Sequence, residues 1–199
     1  MSGKRWTMTR YLAAFVIAAF GAATPALAWE HSWHRHDKGG VTGASGAYGV
    51  VFPLSQALPD PRLTPGVSDP HITQANIHRT ICIPGYSKSV RPPESYTEPL
   101  KRKLIAEYGY TDRRLRDYEL DHLRSIELAG SPIDPRNLWP EPHEVIGGWG
   151  SYAKDRLENR LHRLVCRGKV SLAQAQEAIS TNWIAAYKQY IGPFPDNRP

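Results

Sequence analysis

An aspartate followed directly by a histidine, Asp121-His122, is the pair in this 199-residue chain best suited to chemistry. A histidine titrates near neutrality and can take a proton from water, while a carboxylate beside it can hold a cation. Asn137 follows after a turn-rich stretch, and then Asp155, Glu158, Asn159 and His162 offer further oxygen and imidazole groups at helical spacing. Asp155 and Asn159 share a helix face and are hard oxygen ligands suited to magnesium or manganese, whereas His162 would tilt the preference toward zinc, nickel or manganese. A base and one hard divalent ion are what metal-assisted hydrolysis of a phosphodiester requires.

The elements that must position these groups can be read from local patterning. Tyr118 and Leu120 form a short apolar-alternating run that ends at Asp121-His122, a Gly/Ser/Pro/Asp turn region follows, and Arg136-Asn137-Leu138-Trp139 reads as a second strand. Neighbouring residues of a strand face opposite ways, so Asp121 and His122 can serve one site only where the strand ends or distorts. Ala153 to Arg167 then reads as a helix stopped by Gly168, with Ala153, Leu157, Leu161, Leu164 and Val165 as its buried stripe. Arg156, Arg160 and Arg163 fall together on one flank, with Asp155 and Asn159 on the side away from the stripe and Glu158 and His162 beside them. Cys166 lies near the Asp155 side, so the segment bearing Cys82 should cross there.

At Asp121-His122-Leu123, Glu127-Leu128-Ala129-Gly130 and Asn137-Leu138 the chain resembles the HNH (ββα-metal) nucleases. Over about Ile81 to Trp183 it resembles more closely a group of small exported bacterial proteins with an HNH-like signature. The resemblance implies an α+β fold, a mainly helical small domain built around a ββα-metal hairpin and helix. It makes His122 the general base, Asp121 a metal ligand, and Asn137 the residue that ties the loop and orients the base. It puts a further metal ligand on the helix, for which Asn159 with Asp155 is favoured, and one divalent ion, magnesium or manganese before zinc or nickel. The substrate would be nucleic acid, DNA or RNA, with Arg156, Arg160 and Arg163 facing its backbone in salt-sensitive, largely sequence-independent contact. The chain departs from the pattern at Arg124-Ser125, where many relatives carry a proline, and at Ala129, where a second glycine is common.

The rest of the chain frames this region. Lys4, Arg5 and Arg10, the apolar run Tyr11 to Ala23, and Pro25-Ala26-Leu27-Ala28 have the order of a cleavable secretory signal, residues 1–28, which predicts a periplasmic or secreted protein. All 19 acidic residues but only 22 of the 25 Lys and Arg lie beyond Ala28, so the exported chain carries a formal +3 and is too mildly basic to argue for nucleic acid by charge alone. Two cysteines, Cys82 and Cys166, in an exported chain predict one disulfide.

Glycines and prolines interrupt every apolar run over residues 29–69, which reads as an irregular linker with a short strand at Tyr48 to Leu54. The domain proper is expected over 70–191, followed by a loose tail, 192–199. Within it, Thr73 suits the cap of a short helix reaching Ile81, Ser95-x-x-Glu98 a capping box for a helix from Glu98 to Tyr108, and Ser171-x-x-Gln174 the cap of a last helix reaching Tyr190.

Two other functions compete with a nuclease. One is a non-catalytic exported binding or cell-envelope protein that keeps the HNH-like scaffold. The other is metal capture by His31, His34 and His36 beside Glu30 and Asp37.

Overall fold

The computed structural model describes residues 49–195. Residues 1–28, read above as a secretory signal, the N-terminal histidines and the last four residues lie outside that range. Four helices and one two-stranded antiparallel sheet make the described part α+β: α1 (Tyr86–Val90), α2 (Glu94–Glu107), β1 (Tyr118–His122), β2 (Leu138–Pro142), α3 (Ser151–Cys166) and α4 (Leu172–Tyr190). Among the described residues no helix is long and apolar enough to cross a membrane.

The hairpin forms, with Tyr118 paired to Pro142, Glu119 to Glu141, Leu120 to Pro140, Asp121 to Trp139 and His122 to Leu138, but its second strand starts at Leu138 and not at Arg136, because Pro135–Asn137 is a 3-10 turn capped by Asp134. His122 is the last residue of β1, so the strand does end at the Asp-His pair. The helices α3 and α4 pack together behind it. Leu157, Leu161 and Val165 of α3 and Ala175, Ile179 and Trp183 of α4 are fully buried, as their three- and four-residue spacing requires. The α4 cap is the predicted capping box between Ser171 and Gln174. Its helical path breaks at Asn182, whose side chain accepts from Ala185 N at 2.9 Å and so caps the second half of the helix.

Other boundaries move. Helix α2 begins at Glu94 behind Pro93, and no side chain caps it, so the Ser95/Glu98 box does not form and Pro99 stands inside the helix. The helix expected after Thr73 shrinks to one 3-10 turn, Ile77–Arg79, preceded by Asn76. Residues 86–90 form the short helix α1.

The larger difference lies in the segment expected to be a linker. From Phe52 onward it packs on the domain, although almost without regular structure. Phe52 makes a single parallel bridge to Val145 in place of a strand and packs its ring, tilted by 44°, 5.0 Å from that of Tyr118. The indole of Trp183 donates to Ala57 O at 2.7 Å, and Thr64 Oγ1 reaches Leu138 O at 3.1 Å. Gly66 N donates to Arg136 O, Asp69 N to Ala129 O, and Ser131 N to Val67 O. Composition rich in proline and glycine excluded helix and strand here; it did not exclude tertiary hydrogen bonds, which supply the partners that a secondary-structure ladder would otherwise provide.

Cys82 and Cys166 are bonded, with Cα atoms 5.6 Å apart, so the segment before α1 is clamped to the end of α3 as their positions predict.

Candidate functional site: a buried carboxylate cluster around Lys154

The loop between the strands is held by Asn137. Its Oδ1 accepts from Val67 N (3.3 Å) and Arg124 N (3.0 Å), and its Nδ2 donates to Arg124 O (3.0 Å) and Ser131 O (2.9 Å). An amide side chain has two donor hydrogens and one oxygen with two lone pairs, so every bonding position of the buried Asn137 is used and none is left for a substrate. The tight wrap explains Gly130: a Cβ there would fall 1.6 Å from Arg124 O, so glycine alone fits. Ala129 adopts φ 60°, the left-handed region in which a glycine would be unstrained.

Residue 132, next to the Ser131 carbonyl that Asn137 holds, meets the histidine. His122 Nε2 lies 3.0 Å from Pro132 O. A carbonyl only accepts, so Nε2 carries the proton and Nδ1 is the basic nitrogen. Burial pushes the His122 pKa below its ordinary value, against the pull of the Asp121 charge, so the ring is neutral at physiological pH. Asn137 therefore acts on His122 at one remove, through the loop that presents the carbonyl.

Asp121 is turned toward α3. Its Oδ2 receives Lys154 Nζ at 2.5 Å, and the same ammonium donates to His122 O at 2.8 Å and to Glu158 Oε1. Lys154 is wholly buried, and its carboxylate neighbours outweigh desolvation and hold its pKa well above the usual lysine value. Burial would raise the Asp121 pKa; the Lys154 charge and hydrogen bonds from Glu141 and Lys154 outweigh it and leave Asp121 ionised.

Three more carboxyls crowd the same place. Glu119 and Asp121 alternate on one face of β1, and Glu141 is the register partner of Glu119. Glu141 is 1% exposed, has no donor for either oxygen, and is driven well above the carboxylate range by burial and by the Asp121 charge beside it. Glu119 is pushed up to about 7 by burial and the charges of Asp121 and Glu158. Asp155 and Glu158 are each pushed up to about 8, chiefly by burial; the charges of Glu119 and Asp121 add to the rise at Asp155, and Lys154 opposes it at Glu158. Five carboxyls thus lie around one buried ammonium, which keeps Asp121 ionised while the other four hold their protons to higher pH than a carboxyl in water. The donors of this group are all hard oxygens, which fit magnesium, manganese or calcium better than zinc.

The other proposed site residues fall elsewhere. Asn159, the favoured helix ligand, is exposed and donates Nδ2 to Asp155 O at 2.9 Å, so the structure does not bring it to Asp121. The physical reason is angular: on α3, Lys154 and Glu158 face the hairpin, and Asn159 lies one residue, about 100°, further round. His162 turns to Ile81 O (2.9 Å) and Glu127 (3.7 Å). It also stands with Cys82 and Cys166 within 4.8 Å, but the bonded sulfurs are spent as metal ligands. Arg156, Arg160 and Arg163 lie about half a turn from Lys154 and line a separate open cavity of about 490 Å³ with Asn159, Tyr190 and Ile191. Arg160 Nε donates to Tyr190 O at 3.2 Å, and Arg156 sits over the Tyr187 ring.

Lys154, Glu141 and Glu119 were not singled out by sequence reasoning. Signals existed: Lys154 falls on the buried stripe of α3, three before Leu157 and seven before Leu161, and Glu141 is the one charged residue of β2. A scan against protein-family models and searches of curated proteins and of solved structures find no match to this chain.

Proposed function

We propose that the protein is a metal-dependent endonuclease of the HNH (ββα-metal) type, exported and acting on the phosphodiester bonds of nucleic acid. The observation that carries this reading is the pairing of opposite states on adjacent residues: a neutral His122 whose Nε2–H is committed to the Pro132 carbonyl, beside an ionised Asp121 in an oxygen-rich cluster. In this reading His122 Nδ1 takes the proton of the attacking water, and Asn137 keeps the ring in the required tautomer by fixing the loop. Asp121, with Glu158 and Asp155 as the helix carboxylates nearest to it, would hold a divalent ion. That ion would supply charge stabilisation for the phosphate and the departing oxygen. The arginine-lined cavity lies on another face of α3, so a nucleic-acid strand touching both would have to pass around that helix.

The test is degradation of plasmid DNA and of RNA by the folded, oxidised protein across magnesium, manganese, calcium, zinc and nickel, with and without chelator. Cleavage that needs a divalent ion supports the proposal, and cleavage of neither polymer with any ion rejects it. Rejection would favour a non-catalytic exported scaffold, for which the specific support is that Lys154 already neutralises Asp121.

A further inference from the structure

We infer that Cys82, Cys166 and His162, with Glu127 beside them, become a zinc site when the disulfide is reduced, so that a metal ion and a covalent bond alternate as the clamp between the segment before α1 and the end of α3. The two sulfurs and a ring nitrogen of His162 lie within 4.8 Å of one another. His162 and Cys166 stand four residues apart on α3 and so share a face of that helix, to which the chain before α1 delivers Cys82. A disulfide that only staples the fold needs neither an imidazole nor a carboxylate next to it. Here both are present, from α3 and from the loop between the strands, and all three ligating residues are half-buried, open to an ion and to a reductant.

The donors suit zinc in kind and in placement. Tetrahedral zinc, with bonds of about 2.3 Å to sulfur and about 2.0 Å to nitrogen, sets its ligand atoms roughly 3.3–3.8 Å apart. With Cα atoms 5.6 Å apart, the freed thiolates reach that spacing by turning about their Cα–Cβ bonds. His162 Nε2 donates to Ile81 O at 2.9 Å, which leaves Nδ1 with the free lone pair and orients the ring as metal-bound histidines are held. The Glu127 carboxylate, 3.7 Å from Nδ1, supplies the fourth position. Cys166 closes α3, and the carbonyl end of a helix favours a cation. Two thiolates and an imidazole select zinc over magnesium or manganese, the ions that suit the all-oxygen cluster at Asp121.

The interconversion balances. A dithiol delivers two electrons and two protons, closes to its own disulfide and leaves Cys82 and Cys166 as thiols; zinc then displaces both thiol protons and forms two Zn–S bonds. In reverse, a disulfide oxidant takes two electrons from the zinc-bound thiolates and two protons from water and becomes a dithiol, while the Cys82–Cys166 bond forms and the ion leaves. This site is separate from the cluster of the proposed function and stands whether or not that cluster cuts nucleic acid.

Zinc affinity of the full protein, measured by competition with a chromophoric chelator, should rise by about a hundredfold or more when a trialkylphosphine reduces the disulfide and is itself converted to the phosphine oxide. In reduced His162→Ala the affinity should fall about tenfold or more, because one ligand is gone. Circular dichroism of that variant with its disulfide closed establishes that it folds. On the unmutated reduced chain, zinc should raise the thermal midpoint, as a ligand of the folded state does, and should protect Cys82 and Cys166 together from alkylation by iodoacetamide. Should His162→Ala fail to fold, these two measurements decide. Equal zinc affinity in the two redox states, reduced-state affinity indifferent to His162→Ala, or thiol protection without a rise in the midpoint, which marks ligation by the unfolded chain, would overturn the proposal. Cleavage of nucleic acid by the oxidised protein enters none of these outcomes, so either reading can fail alone.

Discussion

Two long faces of α3 carry charged side chains and treat them in opposite ways. Toward the hairpin, Lys154 and Glu158 are drawn into a dry cluster with Asp121, Glu119 and Glu141, where each charge depends on its neighbours. On the far side, Arg156, Arg160 and Arg163 stand in water around an open cavity. Low dielectric makes the first group strongly coupled and shifts its titration, whereas the second group is exposed and its charges are screened by solvent. One helix can therefore hold a chemical centre and a contact surface, and the two should respond differently to mutation, pH and salt.

The largest expected difference is in activity. If the hairpin face holds the chemistry, His122→Ala should reduce metal-dependent cleavage by about 10²- to 10⁴-fold while leaving manganese affinity nearly intact. Asp121→Ala should weaken both. Equal losses of cleavage and metal affinity in the two variants would break the division of roles, and single-turnover cleavage beside calorimetric titration measures it.

Stability comes next. Lys154→Ala strands the buried Asp121 carboxylate without its counterion and removes the donor that reaches Glu158, and should cost about 3–5 kcal/mol in urea unfolding. A loss under about 1 kcal/mol would show that the cluster relaxes by taking up protons, as exposed charges on the arginine face would not need to do.

The pH dependence of that stability has a defined sign. Glu119, Asp155 and Glu158 have folded-state pKa values raised to about 7, 8 and 8, so their contribution is complete below the ordinary carboxylate range and is lost as pH rises through those values. His122, held below its ordinary value, opposes this up to about pH 6.5, but as one group against three. The lowered Asp121 adds stability above about pH 4 that is lost in acid. The thermal midpoint should accordingly fall between pH 5 and pH 8. A scanning-calorimetry series in which it rises over that interval would contradict the crowding of these carboxyls.

The smallest effect belongs to the arginine face. Arg156→Ala, Arg160→Ala and Arg163→Ala should each change stability by less than about 0.5 kcal/mol. Any weakening of nucleic-acid binding should fade with added salt, since contacts to phosphate release counterions. Binding by anisotropy at two salt concentrations sharpens the contrast: loss that persists at high salt would mean that these arginines belong to the chemistry after all.

Much of this arrangement was legible in the order of residues. Alternation at Tyr118 and Leu120, the turn residues after Gly130, the apolar stripe from Ala153 and the Ser171/Gln174 box are local signals, and each produced the hairpin or helix it predicts, because short-range sterics and hydrogen bonding decide such elements. The pairing of Cys82 with Cys166 followed from there being no other cysteine. What only the tertiary structure decided is which side chains meet. Periodicity places Lys154 beside Glu158 and Glu119 beside Asp121, but that these pairs enclose one ammonium, with Glu141 between the strands and the helix, depends on how far α3 is rotated against the sheet. That rotation is set by the packing of Leu157, Leu161 and Val165 against α4 and by the irregular segment from Phe52 to Asp69, whose long-range contacts have no period for a sequence to display.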